Sequence, residues 1–201
     1  MLALPDATAF RRPLPKAQLY RQFDLKPAQR TAIDADIARL DFVHVVAPHT
    51  LPALAAGREV QAVAVVEVTL RRADFALASL ALLARLIPQR IVFALRHDGR
   101  LRLAVWHTQL LLSPWMDEAD AALPLCGPTL DDAWRHIVAY VGGLDAQSDV
   151  PLADQIAERD RRDRILRQIE ALECRCRAER QTRRQYELHQ EIRRLRATLS
   201  T

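Results

Sequence analysis

Acidic residues in the first half of the chain come nearest to a catalytic pattern. Asp41 is followed by Glu59-Val60-Gln61, a degenerate form of the arrangement found in metal-dependent nucleases. Such enzymes hold Mg²⁺ on carboxylates and place a lysine or an equivalent group near the attacking water. Glutamine stands here where lysine is usual, and Glu67 begins a poorer version of the same pattern. A divergent nuclease that uses Asp41, Glu59 and Gln61 is therefore one hypothesis for the function.

A structural role explains the same acids more simply. Glu59 would lie at the entrance of a predicted strand. Glu67 lies on a mostly apolar strand, so its carboxylate must find a partner or change its pKa. Because acid triplets of this kind are common by chance, we favour an ion pair between Glu67 and an arginine.

Other catalytic chemistries have weaker support, since the six histidines are scattered and include no HExxH pair. Five glycines in 201 residues do not build a phosphate-binding loop, and no GxSxG or Cys/His signature is present. Cys174-x-Cys176 on a helix places its two thiols poorly for one metal. Lys16, one of only two lysines, would contact a phosphate or a substrate or, as we favour, lie solvated in a first helical turn. We expect no metal, no cofactor and, on balance, no enzymatic activity.

The positive charge is concentrated toward the end of the chain. Residues 1–151 hold 16 Lys/Arg and 16 Asp/Glu, whereas residues 152–201 hold 13 and 9, which accounts for the whole net charge of +4. No apolar run reaches the ~18 residues that span a bilayer, and the first residues do not resemble a signal peptide. Three cysteines are an odd and sparse set, unlike the disulfide framework of a secreted protein. We therefore expect a cytoplasmic protein without a membrane partner.

Hydrophobic periodicity predicts an α/β core domain over residues 14–150, behind a loose lead-in of residues 1–13. Residues 59–70 are apolar on both faces at their centre, which is typical of an internal strand. An apolar helix and the strand IVFAL follow, and this strand–helix–strand unit predicts a parallel pair. Asp74 would cap that helix and Pro88 would end it.

Local signals fix several further boundaries. A short helix follows Pro15, and Pro27 suits the first turn of a second. Asp98-Gly99 suits a tight hairpin turn between two strands. Thr129 with Asp132 resembles the capping box of another helix. The predicted fold class is thus α/β in the mixed α+β sense, a small mixed sheet with a βαβ unit and a hairpin.

Residues 151–201 predict a helical coiled-coil arm. Two apolar seams have the 4-3-4 spacing of a coiled coil: Ile165, Ile169, Leu172 and Cys176, and then Leu188, Ile192, Leu195 and Leu199. The 23 residues from Ile165 to Leu188, at ~100° each, leave the seams ~140° apart. Either the arm folds back near residues 179–184 as a helical hairpin, or one long helix shows two faces to different partners. We favour the hairpin.

The arm offers two kinds of binding surface. The apolar seams would bind a protein partner through Ile165, Ile169, Leu172, Leu188, Ile192, Leu195 and Leu199. A set of arginines would line a nucleic-acid backbone: Arg183, Arg184, Arg193, Arg194 and Arg196. Acids such as Glu187 and Glu191 are interleaved with them, as on the solvated face of a coiled coil. We favour protein contact over DNA or RNA contact.

The chain also resembles a family of uncharacterised bacterial proteins. The likeness rests on LPK followed by Tyr20, on the strand ending in VVEV, on RLIP followed by IVFAL, and on I-x-x-L-E in the tail. It covers the chain from about Leu14 to Leu199. Members of this family are often encoded beside DNA methyltransferases and helicases of restriction-like defence loci, which implies an accessory role and no particular activity.

Together these observations predict a non-enzymatic accessory or assembly subunit of a bacterial DNA modification or defence system. Its C-terminal helices would dock a helicase, a methyltransferase or a second copy of the chain. The alternatives are the divergent metal-dependent nuclease and a nucleic-acid-binding module that uses the tail arginines.

Overall fold

The computed structural model describes residues 2–87 and 89–199. The chain divides into two compact units, Met1–Leu152 and Ala153–Thr201, called here the sheet unit and the hairpin unit. Within the described ranges, no helix is both long enough and apolar enough to cross a membrane.

One mixed sheet forms the centre of the sheet unit. Its strands in the described residues are β1 (Ala9–Pro13), β2 (Ile37–Val46), β3 (Val63–Leu70), β4 (Arg90–His97), β5 (Arg100–Trp106), β6 (Leu110–Leu112) and β7 (Met116–Asp117). They lie in the order β1-β2-β3-β4-β5-β6, and β7 pairs with β5. The β3–β4 pair is parallel, whereas the other pairs are antiparallel. The predicted βαβ unit and the mixed α+β class are therefore confirmed.

Helices cover both faces of this sheet. They are α1 (Lys16–Gln22), α2 (Pro27–Asp36), α3 (Leu77–Leu86) and α4 (Leu130–Gly142). On one face, α1, α2 and α3 share an apolar core with β3 and β4 that includes Ile33, Leu80 and Phe93. Successive strand residues point to opposite faces, so Val65 and Leu103 face the other side, where α4 contacts β5 and β6. Both of these side chains are fully buried, so β3 is covered on both faces, as its sequence predicted.

Residues 2–13 are ordered, although the sequence predicted a loose lead-in. A short 3-10 helix (Asp6–Thr8) leads into β1, which pairs with β2 along one edge of the sheet. The side chain of Thr8 is buried, and its Oγ1 lies 2.9 Å from Nδ1 of His44. The prediction is wrong because the ordering contacts come from residues 36 positions away, beyond the reach of local periodicity.

The predicted turn at Asp98-Gly99 and the predicted capping box at Thr129 are confirmed. Asp98 and Gly99 have φ angles of 46° and 73° and join β4 to β5. At the start of α4, the N–H of Asp132 donates to Oγ1 of Thr129, and the N–H of Thr129 donates to the Asp132 carboxylate. Each of these signals depends only on residues that are at most three positions apart, so the sequence alone can predict it.

The third strand begins at Val63 instead of residue 59. Residues 58–60 bend away because their three N–H groups donate to the carboxylate of Asp131, at 2.7, 3.3 and 2.8 Å. Desolvation raises the pKa of Asp131, but the three N–H groups and the charge of Arg58 outweigh it, so the pKa lies below its ordinary value. Asp131 thus ties the entrance of β3 to the first turn of α4.

The start of α3 also differs from the prediction. Ala76, not Asp74, is the N-cap residue, and no side chain of its own caps the helix. The N–H of Ala76 instead donates to the carboxylate of Asp36 at 2.9 Å. The side chain of Asp36 is only 1% exposed and also contacts Arg72 at 2.5 Å. Pro88, expected to end α3, lies outside the described residues.

The hairpin unit consists of two antiparallel helices, α5 (Leu152–Ala178) and α6 (Thr182–Leu199). In the turn between them, the carboxylate of Glu179 accepts the N–H groups of Arg180 and Gln181 at 2.8 and 2.9 Å. The two predicted seams pack against each other around Ile169, Leu172 and Ile192. The helical hairpin is therefore confirmed over the single long helix.

Candidate functional site

The residues of the predicted nuclease centre lie in two different grooves. Asp41 lies directly opposite Glu67 across β2 and β3, and both line a groove on one face of the sheet. Glu59 and Gln61 line another groove, beside Ala64, which belongs to the core on the opposite face. A shared metal requires carboxylates that converge on one point. Asp41, Glu59 and Gln61 do not provide that arrangement.

The contacts of Glu59 and Gln61 suit a structural role. Glu59 is 80% exposed and contacts Arg90 at 3.7 Å, as expected for an acid at the entrance of a strand. Nε2 of Gln61 donates to the carbonyl oxygen of Gly57 at 2.6 Å. Gln61 thus supports the bend that precedes β3, and Glu59 makes an exposed contact with the start of β4.

Glu67 forms the ion pair predicted for it. Arg96 on β4 contacts Glu67 at 3.1 Å and Glu118 at 2.5 Å. Asp41 contacts Arg39 at 2.6 Å. The side chains of Glu67 and Asp41 are only 15% and 14% exposed, so pairing avoids the cost of burying an uncompensated charge. Each carboxylate therefore has its own arginine.

These paired charges line a groove of about 560 Å³. Its acids and arginines are equal in number: Asp6, Asp41, Glu67 and Glu118, and Arg11, Arg12, Arg39 and Arg96. In the part of the chain that the structure describes, no group of three or more His, Cys, Asp or Glu side chains is arranged to hold a metal ion. Arg96 joins β4 to Glu67 of β3 and to Glu118 after β7, whereas the Arg39–Asp41 pair lies within β2. These contacts suit a structural role.

Lys16 is not solvated as we favoured. Its Nζ contacts Oδ1 of Asp34 and donates to the carbonyl oxygen of Ile37 at 3.0 Å. The hydroxyl of Tyr20 donates to the same Asp34 oxygen at 2.9 Å. The hydrogen bond from Lys16 lowers the pKa of Asp34, while desolvation and Asp34 together raise the pKa of Tyr20. Lys16 and Tyr20 of α1 thus clamp this helix onto α2 through Asp34.

The predicted partner-binding residues all lie in the core of the hairpin unit. They are Ile165, Ile169, Leu172, Leu188, Ile192, Leu195 and Leu199. Because each seam packs against the other, these side chains would meet a partner only if the two helices separated. Their role in partner binding stays a prediction. Among the described residues of the hairpin unit, two large hydrophobic side chains are exposed, Leu166 at 45% and Tyr186 at 64%.

The predicted nucleic-acid arginines form two groups on α6. Arg183 and Arg184 lie in its first turn, and the other three, Arg193, Arg194 and Arg196, lie toward its end. All five are exposed. Arg183 contacts Glu187 at 3.4 Å, and Arg196 contacts Glu173 of α5 at 2.6 Å. Exposed pairs of this kind contribute little free energy, so they hold the guanidinium groups weakly.

Three acids that organise the sheet unit were not identified from the sequence. Asp36 and Asp131 accept backbone N–H groups from distant segments, and Glu118 completes the Arg96 network. Asp131 stands inside the predicted capping box of α4, and that position is a weak signal that a carboxylate is needed there. Nothing in the sequence around Asp36 or Glu118 points to a partner.

Comparison with known proteins gives a family but no described relative. No curated protein and no solved structure is a match for this chain. The family model described as a domain of unknown function, DUF4391, matches residues 2–199. Because that match covers nearly the whole chain, the protein belongs to the DUF4391 family.

Proposed function

We propose that this protein is a non-enzymatic accessory subunit of a bacterial DNA modification or defence system, and that its hairpin unit docks a larger enzyme of that system. The partner would be a helicase or a methyltransferase, and a second copy of the chain is the other occupant to test. The resemblance described from the sequence motivates this choice of system.

The observation that carries the proposal is the construction of the hairpin unit. It is a compact unit of its own, and its small apolar core consists of the two seams, which leaves the outer surface to charged residues. Tyr186 and Leu166 stand out on that surface as exposed apolar side chains. Tyrosine and arginine are enriched at the centres of protein interfaces. The outer surface is therefore the part of the arm that suits a protein partner.

The paired acids of the sheet unit support a role without catalysis. Asp41, Glu67 and Glu118 each contact an arginine, and the remaining candidate acid, Glu59, lines a different groove. A general base or a metal ligand needs a carboxylate that reaches its substrate or metal ion. Here Arg96 joins Glu67 and Glu118 to β4, and Asp41 pairs within its own strand.

The test is recovery of the partner with the full-length protein from its native host. We expect the wild-type protein to retain a helicase or methyltransferase, identified by mass spectrometry. The double variant L166Q/Y186Q should lose that partner. The double variant L77Q/Y140Q is the matched control, because Leu77 and Tyr140 of the sheet unit are exposed to a similar extent, 47% and 44%.

Equal recovery with both double variants would show that the outer surface of the hairpin is not the docking site. Sedimentation equilibrium of the purified protein tests the second occupant. A dimer that L166Q/Y186Q dissociates would assign the surface to self-association. A monomer that recovers no partner from the host would refute the proposal.

A further inference from the structure

The excess positive charge of the hairpin unit is concentrated at its tip. We define the hairpin tip as residues 175–184, which hold five arginines and one acid: Arg175, Arg177, Arg180, Arg183 and Arg184, with Glu179. Before the tip, residues 153–174 hold five arginines and six acids. After it, residues 185–199 hold three arginines and two acids. The net charges of these segments, in chain order, are −1, +4 and +1. The net charge of the tip alone is thus the same as that of the whole chain, +4.

The fold gathers these arginines on one end of the hairpin. The last turn of α5 and the first turn of α6 lie side by side, because Nε2 of Gln185 donates to the carbonyl oxygen of Cys176 at 3.4 Å. All five arginines are exposed, and the side chain of Arg183 is 93% exposed. The single acid, Glu179, already accepts the N–H groups of Arg180 and Gln181. The tip therefore presents a dense cationic surface to solvent.

Helix stability explains Arg175 and Arg177, because they lie in the last turn of α5, where cations are favoured. It does not explain the two arginines in the first turn of α6. The N-terminus of a helix carries a partial positive charge and favours acids in its first turn. The first turn of α6 contains no acid and two arginines, Arg183 and Arg184. The contact of Arg183 with Glu187 at 3.4 Å is an exposed pair that offsets little of this cost. Residues that break a local preference in this way are commonly found at functional sites. A bound anion would offset the repulsion at this point.

We propose that the hairpin tip binds the phosphate backbone of duplex nucleic acid. Guanidinium groups recognise phosphate oxygens through paired hydrogen bonds, and the tip contains arginine but no lysine. A membrane surface fits less well, because anchoring in lipid uses apolar side chains beside the cations, and the tip contains no large apolar residue. The expected contact is independent of base sequence, since the surface consists of backbone-binding groups. This inference does not depend on the docking role proposed above.

Fluorescence anisotropy with a labelled mixed-sequence DNA duplex of about 20 base pairs tests the proposal, using the full-length protein over a series of salt concentrations. The tip variant R180Q/R183Q/R184Q removes three positive charges. The control R161Q/R162Q/R164Q removes three from the middle of α5, so both variants have the same net charge. Glutamine forms helices nearly as well as arginine, and circular dichroism will check that both variants keep their helices.

We expect the wild-type protein to bind the duplex with an affinity that falls steeply as salt rises. The tip variant should bind at least about tenfold more weakly near 0.1 M salt, and the slope of log affinity against log salt should decrease by about 2.7, which is 0.9 for each of three lost phosphate contacts. The control should stay within about threefold of the wild type. Equal weakening by the two variants, or no binding by the wild-type protein near 0.05 M salt, would overturn the proposal. Stronger binding to phosphatidylserine vesicles or to polyglutamate than to the duplex would also overturn it.

Discussion

The sheet unit and the hairpin tip use charged residues in opposite ways. The sheet unit contains as many Asp/Glu as Lys/Arg residues, and two of its less exposed carboxylates each contact an arginine, Glu67 across to β4 and Asp41 within β2. The tip gathers five arginines around one acid whose carboxylate is used by the turn. Paired charges at low exposure stabilise a fold, whereas unbalanced charges at full exposure do little for it. The paired charges of the sheet unit therefore help to build the fold, whereas the arginines of the tip suit binding to another molecule.

The largest effect should come from the most buried acid of the sheet unit. Replacing Asp36 by alanine leaves the N–H of Ala76 without its acceptor and Arg72 without its partner. We expect the free energy of unfolding to fall by about 3 kcal/mol. Urea unfolding followed by tryptophan fluorescence measures this unit selectively, because all three tryptophans (Trp106, Trp115 and Trp134) lie within it. Asp36→Asn keeps an acceptor for the N–H of Ala76 and should lose only part of that free energy. A loss below about 1 kcal/mol for Asp36→Ala would show that the contacts of Asp36 with Ala76 and Arg72 do not stabilise the unit.

A smaller loss is expected at the centre of the charged groove. Arg96→Gln leaves Glu67, which is 15% exposed, and Glu118 without their shared partner. The free energy of unfolding should fall by about 2 kcal/mol in the same fluorescence experiment. The double variant E67Q/R96Q removes the unpaired charge as well and should recover part of the loss. A double variant no more stable than Arg96→Gln would mean that the ion pair is not the stabilising contact.

The clamp between α1 and α2 should make stability depend on acid pH. The pKa of the Asp34 carboxyl lies below its ordinary value of 3.8, chiefly because of the hydrogen bond from Lys16. Its contribution is therefore complete above the unfolded value and is lost as the pH falls through the lower, folded value. Since this side chain is half exposed (51%), solvent screening limits the contribution to about 1 kcal/mol or less.

Asp34→Asn should accordingly reduce the free energy of unfolding at pH 7 and leave it nearly unchanged at acid pH below the folded value. Lys16→Gln should give the same pattern, and the double variant should lose no more than either single one. Additive losses at pH 7 would show that Lys16 and Asp34 act separately.

The smallest effect on stability should come from the tip. Arg183→Gln with Arg184→Gln removes two cations from the first turn of α6, where the helix favours acids. We expect the free energy of opening of α6, measured by amide hydrogen exchange, to change by less than about 0.5 kcal/mol or to rise slightly. A loss above about 1 kcal/mol would show that these arginines stabilise the hairpin. The charges of the tip would then have the same role as the paired charges of the sheet unit.

Local sequence signals predicted the centre of the fold. The parallel β3–β4 pair and the Asp98-Gly99 turn follow from patterns that span a few residues, and so does the capping box at Thr129. The phase difference between the two seams of the tail likewise indicated the hairpin. These features depend on periodicity and backbone geometry, which neighbouring residues determine.

Features that depend on distant partners could not be predicted in this way. β1 is ordered by β2, and the true start of α3 is set by Asp36, 40 positions earlier. The candidate acids show the same limit. The sequence indicated that Glu67 needs a partner, but the choice of Arg96, 29 positions away, is a property of the sheet register. Asp41 and Glu59 line different grooves because Asp41 is in the sheet, whereas Glu59 lies in the bend before β3 that Asp131 holds.

The hydrogen bonds to Asp131 should form late when the sheet unit folds. They join residues 58–60 to the first turn of α4 across 71 to 73 positions, a stretch that contains β3, β4, β5, β6 and β7. Closing so long a loop is entropically costly unless the strands within it have already paired. The amide protons of residues 58–60 should therefore become protected from exchange late in refolding, after those of the strands, and so mark the completion of the sheet unit.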